Sequence, residues 1–176
     1  MLRPEHLEKV MRWRTLPEVT RYMFTDPILT LEQQKKWYER VSHNPSFRYW
    51  VINCDNEDIG VLNLYDLDMT NRRCSWAYYI GENAYQGKGI ASILEYNVYE
   101  YAFYRLDLNK VWSEVLSWNT RVIEIHQRFG CEIEGILREH VIKNGQKMDV
   151  VRLGLLKSKW DKIRAGFTYP TIYIEE

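Results

Sequence analysis

Apolar residues recur along the chain with two periods, one typical of helices and one typical of strands. Leu7, Val10 and Met11 fall at helical spacing and predict an amphipathic helix near the start of the chain. Thr30 and Gln33 have the spacing of a capping box, in which each side chain bonds the backbone of the other residue. They predict the start of a second helix.

The segment from 49 to 80 has short apolar runs separated by polar turns, which predicts a three-stranded antiparallel meander. Its strands are expected at Tyr49–Asn53, Ile59–Tyr65 and Cys74–Ile80. Helices and strands then alternate. The expected elements are a helix at Ile90–Arg105, a strand at Val111–Leu116, a helix from Asn119 to Gly130, and a hairpin of Ile136–Lys143 and Lys147–Leu156 about an Asn-Gly turn. This order predicts an α/β fold, with a mixed sheet and helices on both faces.

Length and charge limit the classes of protein that the chain can belong to. With 176 residues and 45% hydrophobic positions, it predicts one domain, 1–176, in which 161–176 form a C-terminal extension. The 24 basic residues equal the 24 acidic ones, which argues against a nucleic-acid partner. No apolar run reaches the ~18–20 residues of a membrane span, and the first residues have no signal-peptide core. We therefore expect a cytoplasmic protein without a membrane partner.

The three cysteines, Cys54, Cys74 and Cys131, are scattered and lack the paired spacing of a metal site, so no metal is expected. Near the C-terminus, Thr171–Ile174 alternate in polarity. This run can add an edge strand or bridge a homodimer, and the sequence leaves both open.

Two glycines lie in the segment Gln86–Ala91, between a predicted strand and a predicted helix. Gly87 and Gly89 allow a tight turn and close approach of a ligand to the backbone. The helix that follows directs its unpaired N–H groups and the positive end of its dipole at this loop. The segment therefore predicts an anion site suited to a phosphate or pyrophosphate. A plain glycine turn before a helix is the alternative.

The helix that begins at Asn119 carries a histidine on its apolar side. Asn119 is a suitable N-cap residue. Val122, Ile125, His126 and Phe129 share one face, so His126 is expected to point inward. An inward histidine is either a hydrogen-bonded core residue or a group that exchanges protons near neutral pH.

Together these residues resemble the GCN5-related N-acetyltransferases. Gln86, Gly89 and Ala91 match the [QR]-x-x-G-x-[GA] signature of that family. The strand that follows, the helix from Asn119 and its Phe-Gly ending are similar to the family's second motif. The order of elements is also similar over nearly the whole chain, which implies a mostly antiparallel sheet of six to seven strands with splayed central parallel strands.

The resemblance implies acetyl-CoA as co-substrate and no metal. The pyrophosphate would then lie on the amides of the loop, that is, on Gln86, Gly87, Lys88, Gly89, Ile90 and Ala91. The pantetheine arm would lie between the two splayed strands, in contact with Asn119. A backbone N–H near Tyr79 or Ile80 would polarise the acetyl carbonyl, and the acceptor amine would attack directly.

The family places a tyrosine as general acid seven residues after the asparagine, where this chain has His126. The resemblance implies that His126 protonates the leaving thiolate. Many relatives carry a glutamate base on the first splayed strand, where this chain has Ser75, which leaves Glu114 on the second strand as the candidate base, acting through water. Glu114 can equally be a surface residue or the partner of an arginine.

Segments near the N-terminus and around residues 48, 72 and 138 resemble the branch that acetylates a UDP-linked 4-amino-4,6-dideoxy sugar in pseudaminic acid biosynthesis. This implies a nucleotide sugar as the acceptor amine. The expected acceptor residues are Arg14, Tyr22, Met23, Phe24, Arg48, Tyr49 and Tyr78, with Trp37 beside them. Aromatic faces suit a uracil ring and arginine suits phosphate oxygens.

Two other functions stay open from the sequence. One is an acetyltransferase for protein N-termini of the ribosomal-protein type, whose sequences are close to this branch. The other is a domain that binds acyl-CoA without catalysis, since the tyrosine and the glutamate of the family are both replaced.

Overall fold

A computed structural model describes all 176 residues, and a six-stranded sheet runs through its centre. The strands are β1 (Arg48–Cys54), β2 (Glu57–Asp68), β3 (Arg73–Ile80), β4 (Lys110–Leu116), β5 (Glu132–Lys143) and β6 (Gln146–Leu156). Their order across the sheet is β1-β2-β3-β4-β6-β5, and every neighbouring pair is antiparallel except β3 and β4. The predicted mixed sheet and the succession of its six strands are confirmed.

Six α-helices pack around this sheet. They are α1 (Leu7–Arg14), α2 (Pro17–Thr20), α3 (Leu31–Ser42), α4 (Ile90–Glu100), α5 (Thr120–Arg128) and α6 (Lys157–Ile163). The capping box of α3 forms as predicted, because Thr30 Oγ1 accepts from the Gln33 amide at 3.2 Å and Gln33 Oε1 from the Thr30 amide at 2.8 Å. The helix predicted to reach Arg105 ends earlier as an α-helix, and a π-helical turn at Tyr101–Arg105 completes it.

The parallel strands β3 and β4 pair over a very short length. Arg73, Cys74 and Ser75 face Lys110, Val111 and Trp112, and no later residues of the two strands pair. Beyond this point β3 continues to Ile80 and β4 to Leu116, while β2 and β6 still cover their outer edges. The facing edges therefore diverge, and their backbone groups are left without partners inside the sheet.

The pleat of the sheet divides the apolar residues between two cores. Trp50 of β1 belongs to the larger core under α4, α5 and α6, whereas its neighbours Tyr49 and Val51 pack with Trp13 of α1 in the smaller core. Successive residues of a strand point to opposite faces, so each face is covered by helices. Helices on both faces were predicted and are observed.

The C-terminal segment packs against the molecule without forming a strand. Phe167 stacks on Phe129 with ring centroids 4.8 Å apart, and the Trp50 indole N–H donates to the Glu175 carbonyl at 2.7 Å. At the other end, Leu2 makes one strand-like bond to the Tyr49 carbonyl. Of the two alternatives that the sequence left open, the added edge strand is not formed, because aromatic packing and polar contacts hold the tail.

No helix is long and apolar enough to cross a membrane.

Close packing of α1 against the end of β3 depends on a residue without a side chain. A Cβ atom at Gly81 would lie 2.1 Å from Cγ of the fully buried Trp13. We expect Gly81→Ala to lower the free energy of unfolding by about 1–3 kcal/mol, because overpacking forces neighbours to shift. Gly135→Ala, where a Cβ meets nothing within 4 Å, is the control. Equal urea midpoints for the two variants would contradict this packing.

Candidate active site

The divergence of β3 and β4 opens a cleft of about 1210 Å³. Its walls come from β3 at 76–80, β4 at 112–115, the loop before α4, helix α5, and the N-terminal segment 14–25. The cleft therefore joins the candidate anion loop to the candidate acceptor residues through the gap in the sheet.

The loop before α4 presents a row of backbone donors. The amides from Gly87 to Ala91 donate to no backbone or side-chain acceptor of the protein. Gly87 and Gly89 have φ angles of +76° and +79°, a region that residues with a Cβ rarely adopt, and Gly89 is the N-cap of α4. Unpaired amides at the positive end of a helix dipole bind anions, so the loop fits the pyrophosphate of acetyl-CoA.

Basic side chains add positive charge near this loop. Arg121 and Arg128 line the cleft, and Arg128 Nη2 donates to Ser92 Oγ at 2.8 Å. Lys88 instead lies beside the Tyr85 ring, with Nζ 4.9 Å from its centroid, and is not part of the wall. The arginines are additional donors for phosphate oxygens, and the sequence analysis did not select them.

Asn119 precedes α5, but its side chain does not cap the helix. Its backbone carbonyl accepts from the Val122 and Ile123 amides at 3.2 and 3.3 Å, while the carboxamide makes no bond. An unpaired carboxamide that was fully buried would be an orphaned polar group, and the one such side-chain atom in the protein is Ser75 Oγ. The Asn119 carboxamide is therefore accessible, and Asn119 lines the cleft. Asn119 is thus at the predicted N-cap position, but its side chain forms no capping bond and is available to a ligand.

His126 lies in the wall of the cleft, with 4% of its surface exposed. Its Nδ1 is 2.7 Å from Oε1 and 3.0 Å from Oε2 of Glu95, which is fully buried. The Trp76 ring packs edge-on against the imidazole, with centroids 5.6 Å apart. Nε2 has no hydrogen-bond partner in the protein, yet it is not fully buried. Since His126 lines the cleft, we take Nε2 to open to it.

Glu114, the candidate base, is held by an arginine. Arg152 Nε donates to Glu114 Oε1 at 3.0 Å, and Nη2 donates to the same oxygen. Arg152 is fixed in turn over the Trp112 ring, 4.6 Å from its centroid. The charge of Glu114 is thus balanced and one of its oxygens is occupied, although the residue lines the cleft.

The expected acceptor residues divide into two groups. The cleft is lined by Arg14, Tyr22, Met23, Phe24, Tyr49 and Tyr78, and also by Tyr79 and Ile80, which were expected near the acetyl carbonyl. Arg48 lies elsewhere, because its guanidinium donates to the Tyr101 hydroxyl at 2.5 Å, and Trp37 packs edge-on against Tyr49 outside the cleft. The prediction for Arg48 is wrong in this structure, because its side chain points to the face of the sheet that carries Tyr101, whereas Tyr49 points to the other face.

Three partly buried tyrosines in the wall stay protonated. Burial raises the pKa of the Tyr78 and Tyr79 hydroxyls above the usual value, and it raises that of Tyr49 to about 12. These groups are therefore neutral hydrogen-bond donors at the edge of the reaction centre, and burial disfavours their acting as bases.

The structure contains no group of three or more His, Cys, Asp and Glu side chains that could hold a metal ion.

Splayed parallel strands, a glycine loop with free amides and a histidine facing the gap define an acyl-CoA-dependent transferase. The sequence model described as Acetyltransferase (GNAT) domain matches residues 1–132. The chain therefore belongs to the GNAT acetyltransferases and is an acetyl-CoA-dependent N-acetyltransferase.

Particular relatives show the range of the similarity. The spermidine N(1)-acetyltransferase of Escherichia coli K12 is 29% identical over 162 residues, covering 90% of this chain and 87% of that protein. The acetyltransferase PseH of Campylobacter jejuni is 24% identical over 127 residues, covering 72% and 77%. A crystal structure of spermidine N-acetyltransferase from Vibrio cholerae in complex with CoA and spermine superposes with a TM-score of 0.84 at 25% identity, covering 90% of this chain and 94% of that one.

The loop geometry predicts a specific effect of a methyl group. Gly89→Ala meets no neighbour but must either hold a positive φ or change the loop, so we expect the Kd for CoA to rise about tenfold, which is ~1.4 kcal/mol. Gly145 in the β5–β6 hairpin has a φ of +75° and equally open space around it. Gly145→Ala therefore introduces the same backbone strain away from the CoA loop and is the control. Calorimetry should show an unchanged Kd for Gly145→Ala, and equal Kd values for both variants would refute the role of the loop.

Proposed function

We propose that the chain transfers the acetyl group of acetyl-CoA to the amino group of a nucleotide-linked sugar, a UDP-linked 4-amino-4,6-dideoxy sugar of the kind used for pseudaminic acid. The main observation in support of this proposal is Arg14, a half-buried arginine in the acceptor half of the cleft that forms no ion pair with a carboxylate. Similarity to PseH supports the same acceptor.

Arg14 is the side chain concerned. Its guanidinium donates to Thr25 Oγ1 at 3.0 Å and forms no ion pair, and burial lowers its pKa from the usual value. An arginine remains charged even so, and a half-buried cation gains from a bidentate bond to an anion. A diphosphate at the acceptor site would satisfy this requirement.

Aromatic side chains lie around Arg14 in the cleft. Tyr22 stacks on Trp118 with centroids 5.3 Å apart and both rings partly exposed, while Phe24 and Tyr49 line the wall further in. Flat exposed rings bind planar bases and the apolar faces of sugars. This surface therefore suits a uracil ring or the methyl group of a deoxy sugar.

A polyamine is the second candidate acceptor, favoured by the 29% identity to a spermidine acetyltransferase. A polycation needs free carboxylates, and two near this half of the cleft are already paired. Asp26 lies 3.0 Å from Lys143 Nζ, and Glu114 is bound by Arg152. Glu18, Asp66 and Glu124 line the cleft without a cationic partner and are the carboxylates that a polyamine would use.

The proposed reaction divides its tasks among the chain's own residues. The amides of the Gly87–Ala91 loop hold the pyrophosphate, and Asn119 contacts the pantetheine arm. An N–H on the free edge of β3 near Tyr79 or Ile80 polarises the acetyl carbonyl, where charge develops during attack. His126 Nε2, open to the cleft, protonates the leaving thiolate.

An acceptor panel tests the substrate. Thiol release is measured with the UDP-linked amino sugar, spermidine, lysine and N-terminal peptides, and we expect the sugar to give the highest kcat/KM. Arg14→Gln should raise the KM for the sugar about tenfold or more, because a charge-assisted bond is lost. Arg138→Gln, which removes an exposed arginine outside the cleft, is the control.

Other results of this panel identify other functions. Turnover of peptides alone would assign the N-terminal acetyltransferase, and turnover of spermidine alone with faster reaction in Arg14→Gln would assign the polyamine enzyme. CoA binding without turnover of any amine would identify a non-catalytic domain and would refute the proposal.

The role of His126 predicts a loss confined to turnover. His126→Ala should lower kcat by about 10²–10⁴-fold while the Kd for CoA stays near that of the wild type, since a positioned acid contributes this range. His140→Ala, an exposed histidine outside the cleft, should keep full activity. A kcat within twofold of wild type for both His126→Ala and His126→Phe would exclude the role of general acid.

A further inference from the structure

Glu95 is a buried carboxylate that the proposed mechanism does not use. It lies on α4 with none of its surface exposed, between the apolar residues of the larger core. Removing an ionised carboxylate from water is costly unless charged or polar donors replace the water. Its surroundings therefore show what its role can be.

Two side chains meet this carboxylate. His126 Nδ1 lies 2.7 and 3.0 Å from the two oxygens, and the Tyr99 hydroxyl donates to Oε1. The Tyr99 hydroxyl is also 3.1 Å from Cys131 Sγ. Burial raises the pKa of both Tyr99 and Cys131, so both keep their protons and this chain of bonds runs toward the Glu95 carboxyl group.

An ionised Glu95 determines the proton position on His126. A carboxylate can only accept, so the proton of the neutral ring must be on Nδ1 and the lone pair on Nε2. Nε2 is the nitrogen open to the cleft, at the gap between β3 and β4. With the proton on Nδ1, the group that faces the substrates is a proton acceptor.

We infer that Glu95 holds His126 in the Nδ1–H tautomer, so that His126 Nε2 removes a proton from the attacking amine and delivers it to the leaving thiolate. This inference rests on the proposed function, and it makes Glu95 a positioning residue. It gives the base role to His126 instead of Glu114, whose oxygen Arg152 already occupies.

One side chain, His126, both accepts and returns the proton that the reaction moves. The amine nitrogen forms a bond to the acetyl carbon and loses one proton to Nε2, which makes an imidazolium next to the Glu95 carboxylate. The carbon–sulfur bond breaks, its electron pair goes to sulfur, and Nε2 returns the proton to form the thiol. His126 ends in its starting state, and no other co-reactant is needed.

Glu95→Gln is the variant that tests this role. The amide has nearly the same shape but no charge to stabilise the imidazolium, so we expect kcat to fall at least about tenfold, a part of the 10²–10⁴-fold of acid–base catalysis. The KM for acetyl-CoA should stay unchanged. Glu100→Gln on the same helix, which removes a carboxylate bound to Arg164 and Trp160 outside the cleft, is the matched control and should keep the wild-type kcat.

A second measurement remains informative if Glu95→Gln is unstable. The ¹⁵N spectrum of the wild-type imidazoles, with only four histidines to assign, should show a proton on Nδ1 of His126 and none on Nε2 at the pH of maximal activity. A proton on Nε2 alone would mean that Glu95 is a neutral donor, and would overturn the inference.

These results separate the inference from the proposed function. Amine acetylation with a wild-type kcat in folded Glu95→Gln would overturn the inference and leave the function standing. CoA binding without acetylation of any amine would overturn both.

Discussion

The active site depends on one constraint, the early end of pairing between the parallel strands β3 and β4. Three residue pairs join them, and beyond Ser75 and Trp112 the two backbones diverge. Their outer edges stay fully paired with β2 and β6, so the sheet remains continuous while its centre has free backbone donors and acceptors. Buried backbone groups without partners are costly, so the gap favours a ligand that supplies extended, amide-like partners. A pantetheine arm has this chemistry.

The glycine loop and the histidine have their roles because of where this gap lies. The loop lies between β3 and α4, so its free amides line the cleft, and helix α5 follows β4 and brings His126 into the wall of the same cleft. The larger core then fixes the imidazole from behind, through Trp76 on β3 and the fully buried Glu95 on α4. A buried carboxylate–imidazole pair does not by itself indicate stability, since removing both groups from water can cost as much as their attraction returns. Its orientation toward the cleft fits a functional role better than a stabilising one.

Much of this arrangement could be predicted from the sequence, because it depends on local patterns. Periodicity predicted the order of elements, and the glycines with the following helix predicted the anion loop. The ends of two strands were predicted less accurately. Strand β2 continues past Tyr65 through an irregular register, with Asp66 at positive φ. Strand β5 begins at Glu132, where exposed residues do not show the alternation of apolar and polar positions. Arg48 was misplaced although the pleat of β1 already separates it from Tyr49.

Contacts between distant residues account for what the sequence could not predict. Glu95 meets His126 across 31 positions, so the pair becomes visible only in the fold. The sequence contains one indication of a special role for Glu95, because it is the only charged residue between Lys88 and Glu100 in an apolar helix.

The most direct test of this account is the position of the CoA sulfur in a crystal structure of the chain with CoA. The account predicts that the sulfur lies in the gap between β3 and β4, within hydrogen-bond reach of His126 Nε2 or one water molecule away. A sulfur atom outside this gap, with Nε2 facing no part of the ligand, would contradict both the site and its chemistry.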